Sequence, residues 1–198
     1  MSEIWISTAY FGPISYFRAI SGADRVNLEA CESYERQSWR NRCRILSANG
    51  ILDLSVPVVQ GHTPSQPIRD VRIDHSRNWH TLHFRSIESA YRRSPYYEFL
   101  IDELIKFWQR KETFLFDLNL SITEKIIRLT GAEPEIVLTD HYEKPGSYGE
   151  ADLRYSFHPK QKKGTGLMPM PYHQVFSERF GFVPDLSILD WLFNCFRT

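Results

Sequence analysis

Cysteine is scarce in this sequence, which has only three cysteines among 198 residues. Cys31, Cys43 and Cys195 are odd in number and far apart, so they favour neither a disulfide framework nor a closed zinc site and indicate a reducing compartment. There is no run of about 18 apolar residues, so no membrane span is expected. The first residues lack the basic and long apolar regions of a signal peptide, and the sequence therefore predicts a cytoplasmic protein.

An excess of charge of either sign is also absent, because 24 Lys and Arg balance 24 Asp and Glu. No global field favours nucleic acid or an anionic membrane, and any anion binding has to be local. Aromatic residues, by contrast, are plentiful at 14%, within a hydrophobic content of 42%. Such a chain can bury a substantial core, and we expect a single domain over residues 1–198.

Several motifs of common enzymes are missing. There is no G-x-G-x-x-G after a predicted strand, no G-x-S-x-G and no Asp-x-Asp, and the basic segment Lys160–Gly166 lacks the spacing of a P-loop. His80 and His83 lie three residues apart on a predicted helix, but no third ligand is found at short range. We therefore expect no metal site.

Local patterns predict an α/β fold. Alternating and turn-bounded segments predict strands at Glu3–Thr8, Arg25–Leu28, Ile51–Val58, Ile68–Ile73 and Glu135–Leu138. Apolar residues at helical spacing predict helices at Ile14–Ile20, Asn78–Arg92, Tyr96–Arg110, Phe114–Thr130, Tyr172–Phe180 and Ser187–Phe196. Asn49-Gly50 is a strong hairpin signal, and Thr139–Met170 is an irregular stretch of the kind that is often functional. We expect a mixed sheet with an Asn-Gly hairpin, flanked by helices.

Three arginines alternate with other residues directly before the hairpin. If this stretch is a strand, Arg40, Arg42 and Arg44 share one face. A cationic face suits the binding of a phosphate or carboxylate, and the alternative is a solvated strand face.

Other candidate residues lie on the predicted helices. His83 is in an apolar stripe, where it is either a hydrogen-bonded, half-buried histidine or a general base. Tyr16 follows the first turn, where it either packs in the core or lines the crevice in which α/β proteins commonly bind ligands. Asp190 has capping-box spacing from Ser187, and Asn194 is either a satisfied amide or a substrate contact.

Blocks of rare residues follow one another in a defined order along nearly the whole chain. They include Ala9-Tyr10-Phe11-Gly12-Pro13, Trp39-x-Asn41-Arg42-x-x-Ile45, Asn78-Trp79-x-x-x-His83, Ser94-Pro95-Tyr96 and Leu186-Ser187-Ile188-Leu189-Asp190-x-Leu192-Phe193-Asn194. In these blocks the chain resembles the WbqC-like proteins of bacterial polysaccharide gene clusters. Asp185 departs from the pattern, which has Asn at this position. The pattern singles out Asn41 and Arg42, presented by a bend or a helical turn, and leaves Arg40 and Arg44 as solvated residues.

The resemblance implies a transferase that moves an acyl or aminoacyl group, such as glycine, onto a sugar in surface-polysaccharide (O-antigen) biosynthesis. On this interpretation, the candidate catalytic residues are His83 and Asp190. The candidate substrate-binding residues are Trp39, Asn41, Arg42, Tyr16, Trp79 and Asn194. The implied ligands are a small molecule or glycan and an activated acyl donor or nucleotide sugar, with no other cofactor.

Two alternatives stay open. One is a non-catalytic protein or accessory subunit that binds a nucleotide sugar or glycan, which fits the aromatic content and the lack of a known catalytic motif. The other is a divergent nucleotidyltransferase relative with a Rossmann-like layout, because the first strand, turn and helix are similar to the opening of HIGH-type enzymes. That alternative predicts a nucleotide near Ala9–Phe17, although the paired histidines of those enzymes are missing there.

Overall fold

A computed structural model describes residues 2–59, 66–159 and 167–196. Its strands are β1 (Glu3–Ser7), β2 (Arg25–Glu29), β3 (Arg42–Ser47), β4 (Gly50–Ser55) and β5 (Glu135–Leu138). Its helices are α1 (Ile14–Ser21), α2 (Trp79–Tyr91), α3 (Tyr97–Leu104), α4 (Lys106–Gln109), α5 (Leu115–Thr130), α6 (Ser177–Phe180) and α7 (Ile188–Cys195). The predicted α/β class, with flanking helices, is confirmed. The basic segment Lys160–Gly166 lies outside the described residues.

The strands form two small sheets among the described residues. In the first, β1, β2 and β5 run parallel with β2 in the centre, and Glu3 pairs with Arg25 and Arg25 with Glu135. The second is the antiparallel hairpin of β3 and β4, in which Ser47 pairs with Gly50 and the turn residues are Ala48 and Asn49, one residue before the predicted Asn49-Gly50. The hairpin therefore has its own sheet and does not extend the parallel one. The first βα unit was predicted correctly, because a short helix joins two parallel strands.

Three predicted elements differ from the structure. Residues 68–73 form a short 3₁₀ turn at Ile68–Asp70 rather than a strand, and the helix predicted at Tyr96–Arg110 is divided into α3 and α4. The helix predicted to begin at Tyr172 starts only at Ser177. The Gln174 side chain explains this last difference, because it binds both backbone groups of Val183 at 2.9 Å and holds its own segment in a non-helical conformation.

One hydrophobic cluster joins both ends of the chain. Ile6 and Val26 from the parallel sheet pack with Ile126 from α5 and Leu192 from α7, and each is at most 1% exposed. Burial of apolar surface on this scale is the main favourable contribution to the folding free energy. Among the described residues, no helix is both long enough and apolar enough to cross a bilayer.

The turn between β1 and α1 is strained and tightly packed. Phe11 has a φ of +41°, which is unusual for a bulky residue and costs about 1–3 kcal/mol. Its ring is fully buried and stacks on the Trp108 ring, with 5.3 Å between the centroids. The Ser187 hydroxyl donates a hydrogen bond of 2.7 Å to the Phe11 carbonyl. Packing and this hydrogen bond together hold the strained backbone in place.

Gly12 leaves no room for a side chain in this turn. A Cβ atom there would lie 2.9 Å from the Ala9 Cβ and 3.2 Å from the Tyr16 ring. We expect Gly12→Ala to lower the free energy of unfolding by about 1–3 kcal/mol, as overpacking does elsewhere. Urea unfolding measures the loss, and Gly22→Ala is the control because its nearest neighbour would be the Arg18 carbonyl at 3.3 Å. Equal losses in both variants would contradict the steric explanation.

Candidate functional site

The carboxyl ends of the parallel strands are closed by two buried ion pairs. Ligands of α/β proteins commonly bind at this edge of the sheet. Here the Arg40 Nε donates to a Glu32 oxygen at 2.7 Å, and the Arg154 Nη1 donates to a Glu29 oxygen at 2.8 Å. All four residues are at most 5% exposed. Each charge therefore has an opposite partner inside the protein.

Ser7, at the end of β1, joins the Arg40–Glu32 pair, and its hydroxyl also lies 3.2 Å from the backbone carbonyl of Arg154. Its hydroxyl accepts a hydrogen bond from Arg40 at 3.0 Å and lies 2.8 Å from a Glu32 oxygen, to which it donates. A cavity of about 10 Å³ beside it is lined in part by Tyr16 and Trp39. Such a volume holds about one water molecule. Two predicted binding residues therefore meet Arg40 at this edge, but without space for a substrate.

The N-terminus of α1 is occupied by an acidic side chain of the same chain. The Asp185 carboxylate accepts hydrogen bonds from the backbone N–H and the hydroxyl of Ser15, both at 2.8 Å. Asp185 has a φ of +54°, and burial raises the pKa of its carboxyl group. A helix N-terminus is the usual place for a nucleotide phosphate in related layouts. A nucleotide near Ala9–Phe17 would have to compete with this carboxylate.

The three alternating arginines have different environments. Arg40 precedes β3 and points inward, so the prediction that it is solvated is wrong, because Glu32 draws it into the buried network. Arg42 and Arg44 lie on β3, are partly exposed, and form ion pairs with Asp53 at 3.6 and 2.8 Å. The predicted strand face therefore exists only for these two residues.

Asn41 is held by the hairpin. The side-chain amide of Asn41 donates a hydrogen bond of 3.0 Å to the Val56 carbonyl. The backbone carbonyl of Asn41 accepts a hydrogen bond of 2.8 Å from the Val56 N–H. These bonds fix the end of β4 against the start of β3. Asn41 thus has a clear structural role, and its neighbour Arg42 faces Asp53 and Ser55.

His83 is part of a buried hydrogen-bonded chain. The Trp108 indole N–H donates to the Tyr10 hydroxyl at 2.9 Å, and that hydroxyl lies 2.9 Å from the His83 Nδ1. In the tautomer that is protonated at Nε2, the His83 Nδ1 accepts a hydrogen bond from the Tyr10 hydroxyl. His83 is 1% exposed, and burial lowers its pKa to about 4. Trp79 packs edge-on against its ring, with 5.1 Å between the centroids. Of the two predicted roles of His83, the structure therefore matches the hydrogen-bonded histidine and not the general base. The neutral imidazole is shielded from an external substrate.

Asp190 and Asn194 belong to a second buried group on α7. The Asp190 carboxylate accepts hydrogen bonds from the Tyr172 hydroxyl and from the Gln174 amide, the latter at 2.9 Å. Burial raises the pKa of this carboxyl group. Asn194 donates to the Asp190 backbone carbonyl at 2.8 Å. Ser187 caps the helix as predicted, whereas the Asp190 side chain turns inward and joins residues 172–174 to α7.

The predicted site residues therefore do not converge on one pocket. His83 and Trp79 lie with Tyr10, whereas Asp190 and Asn194 lie on α7. Tyr16 and Trp39 line the closed sheet edge, and Asn41 and Arg42 support the hairpin.

An open groove lies along the exposed face of α2. Its volume is about 730 Å³, and the described lining comprises Ala48, Arg85, Glu88, Ser89, Ala90, Arg92, Arg93, Pro95, His173, Val175 and Phe176. Arg85, Arg92 and Arg93 are exposed, and their guanidinium groups make no hydrogen bond or ion pair with any described residue. Glu88 is the one acidic residue of this described lining. The groove is therefore cationic, and its volume is typical of small-molecule sites.

The groove was not predicted from the sequence. Arg85 and Arg92 are seven residues apart, which places them on one face of a helix, and that periodicity was the available signal. On an amphipathic helix, however, such residues have the pattern of an ordinary solvated face. The return of residues 173–176 beside α2 creates the groove, and this contact spans about half the chain.

A small parallel sheet with a closed carboxyl edge, together with an open, arginine-lined groove along α2, defines the α/β architecture of this chain. The chain belongs to the WbqC-like protein family, whose model matches residues 8–158. It is similar to "Uncharacterized protein Rv1507c" of Mycobacterium tuberculosis (strain ATCC 25618 / H37Rv), with 26% identity over 202 residues that cover 90% of this chain and 87% of that protein. No solved structure matches the chain significantly.

Proposed function

We propose that this WbqC-like protein is a cytoplasmic transferase that moves an acyl or aminoacyl group onto a sugar in the biosynthesis of a bacterial surface polysaccharide. The observation that carries the proposal is the groove along α2, with its three unpaired arginines. Activated acyl donors and activated sugars usually carry phosphate groups, and the guanidinium group binds phosphate in a bidentate manner.

Two of the three arginines lie at the C-terminal end of α2, so any anion there is bound by their side chains and not by the helix dipole. Arg92 and Arg93 directly follow the last residue of α2. The helix dipole is negative at this end and by itself repels an anion, so an anion there depends on the guanidinium groups. Arginine is common at the C-terminus of a helix because its positive charge interacts favourably with the dipole. This explains the presence of Arg92 and Arg93 without a ligand. The open groove beside them, together with Arg85, favours a bound ligand.

The groove also contains candidate groups for proton transfer. The acceptor amine or hydroxyl attacks the acyl carbon, the bond to the leaving group breaks, and the leaving group departs with the electron pair. A base has to take the proton of the acceptor. His173 and Glu88 line the groove, whereas His83 and Asp190 are buried away from solvent. Histidine is the side chain that most often acts as a general base, so His173 is the candidate base.

Removing the arginines should weaken ligand binding. We expect Arg92→Gln and Arg93→Gln each to lower the affinity for UDP-N-acetylglucosamine by about tenfold or more, because a hydrogen bond to a charged group contributes about 1.5–3 kcal/mol. Isothermal titration calorimetry at fixed salt measures the change. Arg128→Gln is the control, since this exposed arginine of α5 is not part of the groove. Equal losses in all three variants would indicate a general charge effect and overturn the assignment of the groove.

A non-catalytic binding protein is the second candidate function. The observation that favours it is the burial of His83 and Asp190, the two predicted catalytic residues. Apart from the arginines, the described titratable groups of the groove are His173 and Glu88. Incubation with aminoacyl and acyl donors and an amino-sugar acceptor separates the two functions. Mass spectrometry of the acceptor should show the added group, and this signal should be lost in His173→Gln with unchanged affinity for the ligand. Binding without transfer for any donor would favour the non-catalytic function.

A further inference from the structure

A second open cavity adjoins the arginine groove at the tip of the β3–β4 hairpin. Its volume is about 640 Å³, and it shares Ala48, Arg85 and Ser89 with the groove. The two cavities therefore form one channel along the exposed face of α2, with Arg85 at their junction. We refer to the part that extends from Arg85 towards the start of α2 as the hairpin end of the channel.

Six of the ten described residues that line the hairpin end are uncharged and polar. Its described lining comprises Ser47, Ala48, Asn49, Leu52, Asn78, Thr81, Leu82, Arg85, Ser86 and Ser89. The side chains of Asn78, Thr81 and Ser86 make no hydrogen bond with any described residue. Asn78 is the N-cap residue of α2, and yet its side chain makes no capping hydrogen bond. These groups are therefore available to a ligand.

The chemistry of the hairpin end matches a sugar ring. Amide and hydroxyl groups both donate and accept hydrogen bonds, as sugar hydroxyls require. Leu82 is 62% exposed and offers an apolar surface to the C–H face of a pyranose. The described lining of this end contains no aromatic side chain on which a nucleobase could stack. Its one charged residue, Arg85, is the residue it shares with the cationic groove.

We propose that the channel binds a glycosyl diphosphate, with the sugar at Asn78 and Thr81 and the diphosphate between Arg85 and Arg92. This inference rests on the proposed occupation of the groove and adds the substrate class. Arg85 lies four positions after Thr81, a rise of about 6 Å along the helix, which is comparable to the length of one sugar ring. Nucleotide sugars and lipid-linked sugars share this chemistry, and binding measurements distinguish them.

The test uses the full-length protein and calorimetric titration with four probes: inorganic pyrophosphate, UDP, UDP-N-acetylglucosamine and geranyl-diphospho-N-acetylglucosamine. We expect the two sugar-bearing probes to bind about tenfold more tightly than UDP or pyrophosphate. If UDP-N-acetylglucosamine binds more tightly than the geranyl compound, the ligand is a nucleotide sugar, and the reverse order indicates a lipid-linked sugar. If the sugar adds no affinity to either diphosphate, the proposal is overturned.

Substitutions at the two ends of the channel should separate its two subsites. We expect the double variant Asn78→Ala/Thr81→Val to lose about tenfold in affinity for the sugar-bearing probes and to bind pyrophosphate normally. Arg92→Gln should weaken the binding of every probe. Unchanged binding of pyrophosphate also verifies that the double variant is folded, and an equal loss for pyrophosphate would overturn the sugar subsite. Sugar-dependent binding without acyl transfer would contradict the transferase function and leave this inference in place.

Discussion

Replacing Arg40 by alanine is expected to lower the free energy of unfolding by about 3–5 kcal/mol. The substitution leaves the Glu32 carboxylate, which is 1% exposed, without its bidentate partner. It also removes a hydrogen bond to the Ser7 hydroxyl. An unpaired charge inside a protein destabilises the fold by more than the ion pair stabilised it, because neither water nor a partner solvates the charge.

The adjacent arginine supplies the control for this experiment. Arg42→Ala removes a partly exposed ion pair with Asp53 at 3.6 Å, and such pairs contribute about 0–1 kcal/mol. Urea unfolding of both variants at neutral pH gives the comparison. In the double variant Arg40→Met/Glu32→Leu, both charges are absent, and we expect recovery of much of the loss. Similar values for Arg40→Ala and Arg42→Ala would refute the buried network as a major contribution to stability.

The second large effect concerns pH and His83. The unfolded chain takes up a proton at this residue near pH 6.5, whereas burial lowers the pKa in the folded protein to about 4. Between pH 4 and pH 6.5 the unfolded state binds more protons than the folded state. The free energy of unfolding therefore decreases as the pH falls from 6.5 to 4. Since one pKa unit corresponds to ~1.4 kcal/mol, the contribution of His83 to this loss is about 3 kcal/mol.

The variant His83→Gln isolates this contribution. Glutamine can still accept the hydrogen bond from Tyr10 but does not titrate, so the variant should lose about 3 kcal/mol less stability than the wild type between pH 7 and pH 4. Asp185 and Asp190 have raised pKa values, so their protonation favours the folded state at low pH in both proteins. Comparing the two proteins cancels their effect. Parallel stability curves for the two proteins would show that His83 is not buried in a neutral form.

Local sequence patterns were sufficient for most of the fold. The strand–helix–strand opening, the Asn-Gly hairpin and the long helices all depend on neighbouring residues, which determine backbone preference and the apolar face. The segment at Tyr172 was misjudged because it is held by Gln174 and Val183, and a side-chain bond between such loop residues has no periodic pattern.

The candidate site was much less predictable from the sequence. Arg40 and Arg42 are two residues apart and identical in type, yet one is 5% exposed and buried against Glu32, and the other faces solvent and Asp53. The difference is determined by acidic residues from other segments. The groove likewise depends on His173, which lines it together with Arg92 although the two residues are distant in sequence.

The strained first turn has a consequence for the synthesis of the chain. The Phe11 carbonyl, the Ile14 N–H and the Ser15 N–H all bind residues 185–187, almost at the other end of the sequence. A ribosome produces the first βα unit long before these partners emerge. The nascent unit therefore exposes its apolar surface until α7 has been synthesised, and chaperones that bind such surface are expected to act on it during that time.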